Sequence, residues 1–271
     1  MSPPDVMLAH HWICREPRIL HCAGYHASAV ELVAALPPGR IHLIVTDWWS
    51  RPPEVKLKWV DELLKERSDV KPILLAQREA DAHALRKAGP FPVETANQNG
   101  LVDERLFRPG AEEPEFDAVY TARPSPFKRH ELASDVDSLL LICRATTSTV
   151  TEEHFARVRR DLPRAEYALC GLPVVSTPSE GGREEVFSPQ YARIVPPAPG
   201  HIAAAVRELA GRRADPGAVR QAALDRLLPH RRRFIDLCQR IYDEEGAGRD
   251  FARDFYGSFF DKMLRWGRLS W

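Results

Sequence analysis

Short apolar runs alternate with amphipathic stretches along most of this chain. That alternation limits it to folds in which helices cover a mostly parallel sheet. Arg18–Cys22 and Ile41–Val45 are such runs, bounded by polar or turn residues as strands buried on both faces are. Between them Ser28–Leu36 has helical spacing, with Ser28 as an N-cap and Pro37-Pro38-Gly39 as the stop. Pro53–Arg67 is a second amphipathic helix, with Leu57, Val60, Leu63 and Leu64 on one side. Lys71–Ala76 reads as a strand, and Glu79–Ala88 as a helix ended by Gly89-Pro90.

Arg108–Pro114 reads as a connector, after which the alternation restarts. Asp117–Thr121 and Ser138–Cys143 are expected strands, with a helix between them over Arg129–Val136. Glu152–Asp161 is a charged helix stopped by Pro163, and Val174–Thr177 is a strand. Ala203–Leu209 and Val219–Leu228 follow as helices. Phe234, Leu237, Cys238 and Ile241 share one face of a further helix. The tail from Phe251 to Trp271 carries Phe, Tyr and Trp at helical spacing. The expected organisation is α/β, with two Rossmann-like, doubly wound units. Residues 1–108 form the first and 109–248 the second, and a C-terminal helix over 249–271 crosses back to the first unit. Ligands of doubly wound sheets sit beyond the carboxyl ends of the strands, so a site is expected in a cleft between the units.

Lys plus Arg equals Asp plus Glu, 38 of each, so no overall field draws the chain to nucleic acid. No apolar run approaches the roughly 18 residues of a spanning helix. The N-terminal residues lack the basic and apolar regions of a signal peptide. The five cysteines (Cys14, Cys22, Cys143, Cys170 and Cys238) are scattered, with no CxxC pair. These features point to a reduced, cytoplasmic setting. Basic residues Lys262, Arg265 and Arg268 in the aromatic tail leave peripheral membrane contact open, although Asp250, Asp254 and Asp261 oppose it.

The segment with the most chemistry runs from Glu166 to Glu185. It reads as a short helix, a tight turn, a buried strand, a glycine loop and a second helix start. Glycine loops expose backbone N–H groups, and a helix start favours negative charge, so such segments suit nucleoside diphosphates. Gly181 and Gly182 let the backbone approach a phosphate. Earlier, Arg123 and Lys128 bracket a turn stiffened by Pro124 and Pro126. An Arg fork and a compact Lys charge suit a diphosphate, although both could equally be solvated surface cations. Glu166 could accept from a ribose diol or merely sit favourably at a helix start. Histidines His10, His11, His21, His26 and His42 have no metal-ligand spacing and read as structural, and Arg231-Arg232-Arg233 reads as a solvated helix face that could also touch a phosphate-bearing acceptor. No GxSxG, GxGxxG or Walker lysine loop is present.

Three segments, in order, resemble the GT-B glycosyltransferases of family 4. Asn99-Gly-Leu-Val-Asp-Glu-Arg-Leu-Phe-Arg-Pro109 is similar to that family's interdomain Asn-Gly-Val-Asp…Phe-x-Pro segment. Ala122-Arg123…Phe127-Lys128 is similar to its Gly-Arg…Glu-Lys-Gly phosphate loop. Glu166-Tyr-Ala-Leu-Cys-Gly-Leu-Pro-Val-Val-Ser-Thr177 resembles its nucleotide motif, and Gly181-Gly182…Glu185-Val186 its sequel. The resemblance implies transfer of a sugar from a nucleoside diphosphate sugar to an acceptor hydroxyl, with retention as the default and no metal or cofactor. Arg123 and Lys128 would hold the diphosphate and stabilise the departing nucleotide. Glu166 would bind the ribose, and Gly181, Gly182 and Glu185 would border the donor. Asp47 and Trp48 would line the acceptor side. The acceptor could be a glycan, a lipid-linked sugar or a small molecule.

The chain also departs from that pattern. Val158 stands where the family has its first glutamate, Thr46 precedes Asp47 where it has a histidine, and the glycine-rich loop that often opens the fold is missing. Only 37 residues separate Lys128 from Glu166, so at least one strand-helix repeat is expected to be absent. These departures keep two other readings open: a non-catalytic nucleotide-sugar binder or partner subunit, and a GT-B sugar-nucleotide epimerase.

Overall fold

The structure, a computed structural model, describes residues 10–25, 27–46, 51–105, 107–111, 115–121, 128–142, 167–178, 183–212 and 214–259. It is an α/β protein. In chain order its strands are β1 (His10–Arg15), β2 (Arg18–Ala23), β3 (Ile41–Thr46), β4 (Val70–Ala76), β5 (Val93–Thr95), β6 (Ala118–Thr121), β7 (Leu139–Ile142), β8 (Val174–Ser176) and β9 (Ala192–Ile194). Its helices are α1 (Ala27–Ala35), α2 (Pro53–Glu66), α3 (Glu79–Ala88), α4 (Pro199–Gly211), α5 (Pro216–Glu244) and α6 (Phe251–Asp254). The backbone falls into two compact units. One comprises Met1–Asp103, Glu180–Val186 and Leu227–Trp271; the other comprises Glu104–Ser179 and Phe187–Arg226.

The first unit is built on a mixed five-stranded sheet in the order β1-β2-β3-β4-β5. β1 and β2 are antiparallel, and β2 to β5 run parallel. All six residues of β3 are buried, which is why it reads as an uninterrupted apolar run. Side chains alternate between the two faces. Leu43 and Val45 pack with Val33, Val60, Leu63 and Leu85 of α1, α2 and α3. Ile44, Ile73 and Leu75 pack on the other side with Phe234, Leu237 and Ile241 of α5, and with Phe251 and Phe255. The three crossover helices thus share one face, and the later chain covers the other. The strands follow sequence order, so no reversal of order among the described strands marks a ligand crevice in this sheet.

Helix ends here are closed by side chains as well as by turns. Arg67 donates from Nη1 to the Val33 carbonyl at 2.6 Å and the Leu36 carbonyl at 2.8 Å, satisfying the end of α1. Asp69 holds that guanidinium in place at 2.7 Å and its own carboxyl is kept well below the ordinary range, chiefly by Arg67. Pro53 opens α2, where its missing N–H would have had no partner.

Two expected helices are one. α5 runs unbroken through Pro229, where the sequence predicts a break. An internal proline costs about 3 kcal/mol. Here the burial of Val219, Ala223 and Leu227 before it, and of Phe234, Leu237, Cys238 and Ile241 after it, offsets that cost. The expected helix over 129–136 is shorter, a 3-10 turn at His130–Ala133. Among the described residues no helix is long and apolar enough to cross a membrane.

In the second unit β6 pairs with β7 and β8 with β9, both in parallel. Leu169, Tyr191, Ala203, Ala205, Leu209, Val219 and Ala223 are buried there. Arg220 of α5 donates to the carbonyls of Leu169 at 2.6 Å and Glu104 at 2.8 Å, and also to that of Phe107. One arginine thereby fixes two irregular segments whose carbonyls would otherwise need water.

The amino ends of β3 and β4 carry an ionic cluster with the end of α5. Buried His42 meets Glu245 at 2.9 Å, Arg40 meets the same carboxylate at 3.0 Å, and Lys71 pairs with Glu244. Glu245 is held below the ordinary carboxylate value, first by His42 and then by Arg40. A depressed carboxylate stabilises the fold above the unfolded value of about 4.3, and that contribution is lost as pH falls through the folded value. Urea melts across pH 3–6 should therefore show wild type losing stability more steeply than Glu245→Gln in the acid range. Parallel curves would remove the linkage.

Candidate functional site

The segment Tyr167–Thr177 forms a tight turn leading into β8. The Leu172 N–H donates to the Tyr167 carbonyl at 2.9 Å, and the Gly171 N–H donates to the Ala168 carbonyl at 3.1 Å. With Gly171 at φ +80°, these two bonds make a Schellman ending, the usual left-handed close of a helix. Gly171 also lies directly against Pro216: a Cβ added there would stand 2.5 Å from the proline Cβ. Asp215 caps the start of α5 at the same place, accepting from the Ala218 N–H at 3.0 Å. Pro173 then prevents further helix, and Val174–Ser176 pairs with β9.

At the carboxyl end of β8 stands Thr177. Its hydroxyl accepts from Arg129 Nη2 at 2.9 Å, although 48 positions separate the two residues. Arg129 is exposed and has the left-handed backbone, φ 51° and ψ 49°, uncommon for a residue with a side chain. The turn that carries it is anchored from below. Tyr120 of β6 donates its hydroxyl to the Lys128 carbonyl, and its ring lies 5.2 Å from that of buried His130. The carboxyl ends of β6 and β8 therefore meet through Arg129 and Thr177.

Of the candidate residues named from the sequence, two are described. Lys128 is half-buried and sits in this turn beside Arg129. Glu185 is exposed, in a 3-10 turn over Arg183–Val186 that belongs to the first unit. Arg123, Glu166, Gly181, Gly182, Asp47 and Trp48 lie outside the described residues. Arg129 was not among the candidates. Its signal in the sequence is slight: a second cation directly after Lys128, in a turn otherwise rich in proline.

The arginine run at 231–233 does not behave as one solvated face. Arg232 and Arg233 are exposed, but Arg231 is 2 % exposed. Its Nε donates to the Gly100 carbonyl and its Nη2 to the Val102 carbonyl, both at 2.8 Å. Gly100 is packed so closely on α5 that an added Cβ would lie 2.9 Å from the Leu227 carbonyl oxygen. Arg231 is thus part of the scaffold and is not available to a phosphate. His42 and His21 are likewise structural, bonded to Glu245 and to the Thr46 hydroxyl, each at 2.9 Å.

A shallow hollow in the second unit is lined by Asp117, Asp137, Ala203, Val206 and Arg207. It lies at the amino ends of β6 and β7, the wrong end for a ligand of parallel strands, and Arg207 faces Asp137 across it at 3.9 Å. We therefore place the candidate site at Lys128, Arg129 and Thr177 and not in the hollow. Among the described residues no three His, Cys, Asp or Glu side chains gather as a metal site would need. What the arrangement offers chemically is a pair of adjacent cations and a hydroxyl beside a strand end, suited to an oxyanion. No protein-family model, no curated protein and no solved structure matches this chain.

Proposed function

We propose that this protein is a nucleotide-sugar-dependent glycosyltransferase of a shortened GT-B kind, with its two units as the Rossmann-like halves. The donor would be held by the second unit and the acceptor by the first. The observation that carries this reading is the 2.9 Å bond from Arg129 to Thr177. It joins the end of the Arg123…Lys128 loop to the end of the Gly171-Leu-Pro-Val-Val-Ser-Thr177 segment, the two stretches whose sequences suggest a diphosphate pocket.

In this reading Lys128 and Arg123 neutralise the donor pyrophosphate and stabilise the charge that grows as the sugar leaves. Glu166 orients the ribose. Gly181, Gly182 and Glu185 border the donor, and Asp47 and Trp48 the acceptor. Protein cations take the role a divalent metal has elsewhere, so transfer is expected to survive chelation. Val158, in place of the family's first glutamate, favours a second reading as a binder without turnover.

Calorimetry with UDP, GDP, dTDP and ADP tests the assignment. One of them should bind wild type, and Lys128→Ala should weaken it about tenfold or more, since a hydrogen bond to a charged group is worth about 1.5–3 kcal/mol. Unchanged affinity in a folded Lys128→Ala variant removes the site. Slow hydrolysis of the matching nucleotide sugar above the buffer rate separates the enzyme from the binder.

A further inference from the structure

The backbone N–H of Asn97 donates to Nδ1 of His230 at 3.1 Å, although 133 positions separate the two residues. A peptide N–H can only donate. Nδ1 must therefore present a lone pair, and the ring proton sits on Nε2. Both residues belong to the first unit. Asn97 is 1 % exposed and opens the 3-10 turn Gln98–Leu101. From that turn the chain runs on to Glu104, where the second unit begins. The turn is tied to α5 at both ends. His230 takes the N–H at its start, and Arg231 donates to the Gly100 and Val102 carbonyls at its close. Between these ties Gly100 lies directly on the helix: a Cβ added there would stand 2.9 Å from the His230 Cβ.

Of these ties only the histidine changes its charge near neutral pH. A proton on Nδ1 would turn an acceptor into a donor. Two N–H groups would then face each other, one of them the buried Asn97 amide, and an unmade bond at a buried donor is costly. Residues 97–101, Asn-Gln-Asn-Gly-Leu, bring no charge to the ring, and neither does Gln77, which accepts from the Gln98 N–H at 2.9 Å. On α5 itself Arg231 is committed to its two carbonyls, and Arg233 stands one turn further on. Glu79 of α3 feels Arg233 and does not shift the ring. Burial, and then Arg233, hold the imidazole below its ordinary pKa. A group depressed in this way stabilises the contact above the unfolded value of about 6.5, and that contribution is lost as pH falls through the folded value.

We propose that His230 is an acid-released latch on the segment Asn97–Val102. With a neutral ring it holds the segment to α5, and with a protonated ring it lets the start of the segment go. The Arg231 bonds keep the far end attached, so the opening is local and leaves the sheet and α5 folded. The latch acts on the chain that leads from one unit to the other, and it is independent of the transferase reading.

Hydrogen exchange of the full chain, read by mass spectrometry across about pH 5.5–7.5 and corrected for intrinsic exchange rates, tests the latch. The peptide holding residues 97–102 is expected to lose protection below about pH 6.5, by up to about tenfold per pH unit. α2, which contains no histidine, should keep its protection throughout. His230→Asn offers a neutral acceptor near the Nδ1 position and should leave the segment protected at every pH. Wild-type protection that does not change with pH overturns the proposal. So does an equal loss in His230→Asn, which would assign the titration to another group. Should His230→Asn fail to fold, the imidazole nitrogen resonances of wild type decide alone. An unprotonated Nδ1 at neutral pH that gains its proton in step with the loss of protection is the expected result. A proton already on Nδ1 at neutral pH, or one gained with no loss of protection, overturns it.

Discussion

Arg231→Ala should cost about 3 kcal/mol or more of unfolding free energy, because each charge-assisted bond is worth about 1.5–3 kcal/mol and two are lost together. The guanidinium bonds the Gly100 and Val102 carbonyls at 2.8 Å and is 2 % exposed, so water cannot simply replace it. The missing side chain also leaves a void, which adds to the cost. Arg231→Lys is expected to recover only part of the loss, since a single ammonium cannot span two carbonyls as the fork does. Arg232→Ala, on the exposed side of the same helix, is the control and should lie within about 0.5 kcal/mol of wild type. Urea denaturation of the three variants checks this. An Arg231→Ala variant as stable as Arg232→Ala would mean that the two carbonyls find other partners.

The contrast between these neighbouring arginines marks where sequence reasoning stops. A run of three cations on a helix is indistinguishable from a solvated face until the opposite segment is known. Gly100 was the only clue, as a residue small enough to admit the helix, and its partner lies about 130 positions later. In the five-stranded sheet the strands that were legible, β2, β3 and β4, lie inside the sheet, and their continuous apolar runs follow from burial on both faces; β6, β7 and β8 of the second unit were legible too. β1 was not legible. It stands at the sheet edge with the sequence His-His-Trp-Ile-Cys-Arg, and it pairs antiparallel with β2 alone. β5 and β9 have three residues each, too few to show a period. α5 defeated the proline rule because tertiary burial on both sides outweighs one lost hydrogen bond.

The candidate site shows the same division. The turn at Gly171 and the strand after Pro173 follow from local chemistry: a glycine for the left-handed close, a proline to forbid helix, and β-branched residues for the strand. Arg129 could not be read in that way. Its importance comes from a left-handed backbone and from a partner 48 positions away, neither of which leaves a trace in composition. Lys128, which the pattern did single out, gains its setting from Tyr120 and His130 beneath the turn. Among the described residues of this stretch, Arg129 is the cation bonded to Thr177 at the end of β8.

Gly171→Ala should be the most damaging small substitution in the second unit. Two costs act at once. A side chain at φ +80° costs about 1–2 kcal/mol. The new methyl would also sit 2.5 Å from the Pro216 Cβ and 2.8 Å from its carbonyl oxygen, so the backbone at the start of α5 has to move, and overpacking of this kind typically costs about 1–3 kcal/mol. Movement there pulls on Asp215, which caps α5, and on the turn that aims β8 at Thr177. The variant is therefore expected to lose about 2–5 kcal/mol in a urea melt. Any nucleotide that binds wild type should bind it more weakly at temperatures where it is still folded. Leu172→Ala, at the next position and exposed, separates the effects. It keeps the left-handed glycine and should leave both stability and affinity near wild type. A Gly171→Ala protein of full stability would show that the turn can open away from Pro216 at no cost. A destabilised one with undiminished nucleotide affinity would detach the donor site from this turn and from the Arg129–Thr177 contact with it.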